Sequence, residues 1–172
     1  MKLLVIDIQK GITDNRLFNF EAFIDNTTRI INAARDNQIE VIYFQHDDGP
    51  GTGFSIGDKD FEIAEQVIPK DKEKIFIKNI NSCFGNKDFA DYVKNDNTLM
   101  IIGLQTNFCI DATVKSAFER GYKVIVPQGA NSTFDNDYMT GEMTYKYYND
   151  MMWPKRFATC VSVDEAIKLM ES

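Results

Sequence analysis

With 172 residues, 44% of them hydrophobic, and no Gly-, Ser- or Pro-rich linker, the chain is long enough to bury one full core, so a single domain over residues 1–172 is expected. A formal net charge of −7 excludes a nucleic-acid backbone or an anionic membrane surface as the main partner and favours a small, uncharged or cationic substrate. There is no basic leader and no apolar run near the ~18 residues of a membrane span, and Cys83, Cys109 and Cys160 form no CxxC pair, so a cytoplasmic protein with free thiols and no disulfide framework is expected.

Lys2-Leu3-Leu4-Val5-Ile6 is apolar on consecutive positions, the pattern of a central parallel strand buried on both faces. It delivers Asp7 to a strand's carboxyl end, where either a solvated turn carboxylate or a site residue fits, because open α/β sheets bind ligands there. Phe20 to Asn37 carries Phe23, Ile24, Ile30, Ile31 and Ala34 near helical spacing and reads as an amphipathic helix. A second strand from Glu40 to Gln45 leads to His46-Asp47-Asp48 and the loop Gly49-Pro50-Gly51-Thr52-Gly53. His46 is the only histidine, and one histidine beside Asp47 and Asp48 lacks the further ligands that enclose a divalent ion, so a loop histidine with solvated carboxylates stands beside the metal reading and no metal is expected. The glycines lack GKS/T or GxGxxG spacing, which leaves phosphate binding weakly supported.

Asp60 to Val67 reads as a short helix, and Lys74 to Lys78 as a third strand whose last residue is either a surface lysine or a second group at the same edge. Cys83, beside Phe84, reads as a packed apolar cysteine. A helix from Lys87 to Lys94 presents Phe89, Ala90 and Val93, and a strand from Thr98 to Leu104 turns at Gly103 into a helix start at Cys109 that runs to Gly121. A thiol at a helix N-terminus meets the positive end of the macrodipole, which favours its thiolate and offers backbone N–H groups to an oxyanion. Tyr122 to Pro127 is a fifth strand followed by the loop Gln128 to Thr133; a Tyr- and Met-rich helix from about Tyr138 to Met151 suits the core or a subunit contact. Phe157 to Val161, with a structural Cys160, is the last strand, and Val163 to Glu171 the closing helix. The alternation predicts an α/β, three-layer α/β/α, Rossmann-like fold with a six-stranded, mainly parallel sheet. Asp7, Lys78 and Cys109 then stand at three strand ends on one edge, an acid, an ammonium and a thiol within reach of one another.

The segments LLVIDIQ (Leu3 to Gln9), VIYFQHDDG (Val41 to Gly49), IFIKNINSCFGNKDF (Ile75 to Phe89), IIGLQTNFCIDATVKSAFERGYKV (Ile101 to Val124) and Asn131-Ser132-Thr133-Phe134-Asp135 resemble the isochorismatase-like cysteine hydrolases, which include nicotinamidases and N-carbamoylsarcosine amidases, over nearly the full length. The resemblance implies a catalytic triad of Asp7, Lys78 and Cys109, a non-proline cis peptide between Leu104 and Gln105, and oxyanion donors at the backbone of Gln105 and Cys109. It implies hydrolysis of a small amide or carbamoyl C–N bond through a thioester. Nicotinamidases of the family build a metal site from an aspartate and two histidines after the second strand; one histidine cannot supply it, so the metal-free branch, with no cofactor, is expected. Members that cleave the vinyl ether of isochorismate lack the cysteine. A small-molecule substrate and a homodimer or higher homo-oligomer are expected, with Phe18, His46, Phe54, Phe84, Thr133 and Phe134 lining the pocket. Gly129-Ala130 stands where members commonly show Asp-Ala, and Tyr147-Tyr148-Asn149 replaces an HHN-like segment. Two other readings remain at this level: a non-catalytic small-ligand-binding member of the fold, and a thiol redox sensor with Cys83 as the resolving cysteine.

Overall fold

A computed structural model of the chain describes residues 1–171. Its regular elements run β1 (Lys2–Ile6), α1 (Phe20–Asp36), β2 (Glu40–His46), β3 (Lys74–Lys78), α2 (Lys87–Val93), β4 (Thr98–Leu104), α3 (Asp111–Glu119), β5 (Lys123–Pro127), β6 (Asn131–Ser132), α4 (Gly141–Lys146), β7 (Thr159–Val161) and α5 (Val163–Met170). Every strand pairing is parallel, in the order β3-β2-β1-β4-β5-β7, with β6 beside the end of β4. The sheet thus has the six expected strands plus β6, whose two residues are too few to leave a periodic pattern.

The apolar runs are explained by burial on both faces. Leu3 and Val5 of β1 join Val41, Tyr43, Met100 and Ile102 on one side, where Phe23, Ile30, Ile31 and Ala34 of α1 and Val163, Ala166 and Met170 of α5 cover them. Leu4 and Ile6 join Ile42, Phe44, Leu99 and Ile101 on the other, beneath Phe89 and Val93 of α2, Val114 and Ala117 of α3, and Trp153. Each fully buried aliphatic or aromatic side chain here contributes about 1.5–3 kcal/mol, so the central strands hold the site's floor rigidly. Helix α5 is set by a capping box in which Ser162 and Glu165 satisfy each other's backbone N–H groups.

Two expected elements differ. Asp60 to Val67 is two separate turns, Lys59–Phe61 and Glu65–Val67, because the residues between them are extended, with Ile63 bridging Gln9 and the Ala64 N–H donating to the Ile8 carbonyl at 2.9 Å. Helix α4 begins at Gly141, where the Thr140 hydroxyl accepts from the Met143 N–H, and continues as a wider turn over Tyr147–Met152. Tyr138, Met143, Tyr147 and Met151 are exposed instead of entering the core. Among the described residues no helix is long and apolar enough to cross a membrane.

The strand order reverses between β1 and β4, and a doubly wound sheet opens a crevice at such a switch point. Gly103 makes the closure there possible. It pairs with Ile6 at φ +124°, and a Cβ on it would lie 2.0 Å from the Ile6 carbonyl oxygen.

Candidate active site

Asp7 leaves β1 in the left-handed region at φ 52°, which a short acidic side chain tolerates, while its N–H still donates to Phe44 at 3.1 Å. Lys78 ends β3 and is paired in register with His46 at the end of β2. His46 therefore stands between the strands that carry Asp7 and Lys78. Its backbone is clamped by Gln9, whose side chain accepts from the His46 N–H at 2.8 Å and donates to the His46 carbonyl at 3.0 Å. Beyond β4 the Leu104–Gln105 peptide is cis, and Thr106–Ile110 form a π-type turn before α3. Cys109 thus lies inside this wide first turn, with the regular helix starting two residues later.

The Lys78 ammonium is the centre of the cluster. Its three protons face Asp7 Oδ2 at 2.7 Å, His46 Nδ1 at 3.1 Å and Cys109 Sγ at 3.3 Å. With Nδ1 accepting from an ammonium, the imidazole proton belongs on Nε2, which faces Asp48 Oδ1 at 3.1 Å. Asp7 Oδ1 has no hydrogen-bond partner among the described residues, although Asp7 is 1% exposed. Asp7, His46 and Cys109 present donor atoms within 4.8 Å of one another.

Burial raises the Asp7 carboxyl above the usual carboxylate range, against the pull of the Lys78 charge. Burial works most strongly, to lower Lys78, but the Asp7 charge and hydrogen bond together with the neighbouring Cys83 and Cys109 sulfurs outweigh it and leave the ammonium more firmly protonated than usual. The two groups meet at 2.7 Å, and burial makes Asp7 a stronger base than a surface carboxylate. Burial, and then the Asp7 carboxylate, push the Cys109 thiol up to about 12 against the opposing Lys78 charge. The resting sulfur is therefore protonated, not the thiolate expected from a helix N-terminus: desolvation and a neighbouring carboxylate exceed what the helix end and the ammonium supply.

The turn bearing Cys109 is held from behind by buried polar groups. Thr106 donates to Asn131 at 2.7 Å, Asn131 and Asn149 exchange amide hydrogen bonds at 2.9 and 3.0 Å, and Asn149 reaches the Tyr145 carbonyl at 2.9 Å. Thr133 lies by Gln105 Oε1 at 3.1 Å and Asn107 Oδ1 at 2.6 Å. At the far end of the turn, Trp153 Nε1 donates to Asp111 at 2.9 Å.

A cavity of about 300 Å³ opens onto the sulfur. Asp7, Cys109 and His46 form its base with Leu104 and Gln105, and Phe54, Phe108, Ile12, Asn81 and Asp48 form its walls. Of the expected pocket residues, His46 and Phe54 line it, and Phe18, Phe84, Thr133 and Phe134 do not. Phe18 packs on Tyr145 at 5.4 Å in a separate small cavity beside Gly129 and Asn131. Phe84 is buried against Phe89 and Tyr122 with Arg120 over its ring, Thr133 props the turn, and Phe134 lies under Arg16. Aromatic identity marked Phe18, Phe84 and Phe134, but each of these rings packs against other parts of the fold. Asp48, in the segment whose histidine and aspartates the family resemblance places at the pocket, lines it, whereas Phe108, Ile12 and Asn81 were not singled out; the one sequence signal for Phe108 is a large apolar residue in an otherwise polar turn beside Cys109.

The residues after β2 do not fit a divalent ion. Asp47 Oδ1 already accepts from Ser55 at 2.6 Å and from the Gly49 N–H at 2.9 Å, which holds its carboxyl below the usual range, and Asp48 pairs with His46. The donor atoms of Asp7, His46 and Cys109 converge on the Lys78 ammonium instead. At Gly129, φ is +82° and a Cβ would meet the Asn26 amide at 2.6 Å, so an aspartate at this position would displace Asn26.

A doubly wound parallel sheet with a thiol, an ammonium and a carboxylate at its switch point defines an α/β cysteine hydrolase-like class. The isochorismatase domain model matches residues 2–165, and the chain belongs to that family. It is 32% identical over 138 residues to the isochorismatase family protein YddQ of Bacillus subtilis strain 168, covering 76% of this chain and 77% of that one. It is 24% identical over 137 residues to streptothricin hydrolase of Streptomyces noursei, covering 77% of this chain and 54% of that longer one. A crystal structure of an isochorismatase family protein superposes with a TM-score of 0.84 at 27% identity, covering 94% of this chain and 97% of that one. The family is one of hydrolases.

Proposed function

We propose that the protein hydrolyses a C–N bond of a small amide or carbamoyl compound, with Cys109 as nucleophile and Asp7 as proton carrier. The observation that carries this reading is the single ammonium touching both Asp7 and Cys109, with an Asp7 carboxylate oxygen within 4.8 Å of the sulfur and Asp7 Oδ1 without a hydrogen-bond partner among the described residues. Asp7 takes the thiol proton as sulfur attacks the carbonyl carbon, while Lys78 compensates the negative charge on whichever partner bears it. The oxyanion is assigned to the backbone N–H groups of Gln105 and Cys109, which border the same cavity. Asp7 then gives its proton to the departing nitrogen as the C–N bond breaks, releasing ammonia or an amine and leaving a thioester. A water, losing a proton to Asp7, adds to the thioester carbonyl; the C–S bond breaks, the acid leaves, and the sulfur recovers the proton from Asp7. The balance is amide plus water to acid plus amine. His46 touches neither proton path; its Nδ1 fixes the ammonium between the two partners.

A screen of small amides, ureas and carbamoyl compounds for ammonia release tests this. Turnover by the wild-type protein and none by Cys109→Ala of unchanged melting behaviour is expected, and equal release by both would overturn the reading.

A further inference from the structure

We propose that the preferred substrate of this site is a small amide carrying a positively charged ammonium close to its scissile carbonyl, with Asp48 as the counter-charge. The proposal rests on the amidase reading above and narrows it. Asp48 is a wall residue of the cavity, and its side chain is 54% exposed. One carboxylate oxygen faces His46 Nε2 at 3.1 Å, and that imidazole has a ring nitrogen within 4.8 Å of Cys109 Sγ, so the carboxylate stands one imidazole away from the nucleophile. Phe54 is tied to it, its carbonyl accepting from the Asp48 N–H at 3.0 Å, and Phe108, next to Cys109, leaves 52% of its surface open.

Among the described residues no lysine or arginine lines this cavity, and the three protons of Lys78 are already directed at Asp7, His46 and Cys109. An anionic acyl group entering here meets Asp48 with no cation to offset it. An ammonium meets a carboxylate and two aromatic rings, the combination that holds organic cations. Asp7 cannot play this part, because its charge is matched by Lys78.

Three amides of one length differ only in terminal charge: β-alaninamide (cationic), butyramide (neutral) and succinamate (anionic). Their kcat/KM for ammonia release should fall in that order, with β-alaninamide about tenfold above butyramide. In Asp48→Asn, whose amide oxygen can still accept from His46, the cationic-to-neutral ratio should drop toward one. The same amides are also tested as protectants of Cys109 against iodoacetamide, a readout that needs no turnover. Selective protection by β-alaninamide that is lost in Asp48→Asn supports the cation site even where no ammonia is released, in which case the amidase reading alone fails. Equal protection by all three amides, protection by none of them, or a cationic preference that survives in Asp48→Asn overturns the proposal.

Discussion

Replacing Asp7 by Asn should move two properties of Cys109 in opposite directions. Burial and the Asp7 carboxylate hold the thiol at about 12, and the relevant atoms of the two residues lie within 4.8 Å of each other. At an effective dielectric of about 20, a unit charge at that distance is worth about 3.5 kcal/mol, so its removal raises the thiolate fraction a few hundredfold. The Lys78 ammonium, 3.3 Å from the sulfur, then has the thiolate as its remaining anionic neighbour within the cluster. A more acidic thiol is also a weaker nucleophile, and a Brønsted coefficient of about 0.5 returns roughly half of the gain on a logarithmic scale. Alkylation of Cys109 by iodoacetamide at mildly alkaline pH should therefore become about 20-fold faster in Asp7→Asn. Turnover, which needs a proton acceptor at this position, should fall by about 10²–10⁴. Both are measured on one preparation, by timed alkylation with peptide mass spectrometry and by ammonia release, with the fully buried Cys83 as an internal control for unfolding. Slower or unchanged alkylation would refute the electrostatic account, and retained turnover would refute the role given to Asp7.

Lys78→Met leaves the Asp7 carboxylate buried without its counter-charge, so turnover should be lost and urea unfolding should show a destabilisation of about 3–5 kcal/mol. That deficit should narrow on acidification, where Asp7 is protonated in folded and unfolded chains alike; a deficit independent of pH would argue against the ion pair. The alkaline limb of stability should depend on Cys109. Its folded value of about 12 lies above the ordinary 9.0, so the stabilisation is fully present below pH 9 and is lost as pH rises toward 12. The wild-type unfolding free energy from urea titration should fall relative to that of Cys109→Ala over this window by roughly 3–4 kcal/mol, and a wild-type gain would mean a resting thiolate. Gly103→Ala should cost about 3 kcal/mol or prevent folding, since its Cβ would overlap the Ile6 carbonyl; a melting temperature close to wild type would show that β1 and β4 can separate there.

The strands were readable because a segment buried on both faces needs apolar residues at consecutive positions, and Lys2–Ile6, Glu40–His46 and Thr98–Leu104 all show this. Asp7, Lys78 and Cys109 followed from the rule that parallel strands end on one edge, and the structure brings Asp7 and Cys109 to the Lys78 ammonium. Strand order is not written in local periodicity. It is this order, with β2 between β1 and β3, that puts His46 Nδ1 against Lys78. The left-handed turn at Asp7 and the Thr106–Asn131–Asn149 network were hidden for a similar reason, since their partners are far apart in sequence. Side-chain direction was the weakest inference. Phe18, Phe84 and Phe134 have the chemistry of pocket residues, yet each packs elsewhere, whereas Asp48 reaches the cavity from a loop held by the Phe54 carbonyl and Phe108 from the turn after β4. The protonated state of Cys109 was also beyond local reasoning, because it is set by burial and by a carboxylate from another strand.

The most direct test of the account is to acid-quench the wild-type protein during turnover of an amide that it hydrolyses and to map the peptides by mass spectrometry. The account predicts the acyl mass on the peptide containing Cys109, none on those containing Cys83 or Cys160, and no adduct in Cys109→Ala. Hydrolysis that proceeds without acylation of Cys109, or with the acyl group on another cysteine, would contradict it.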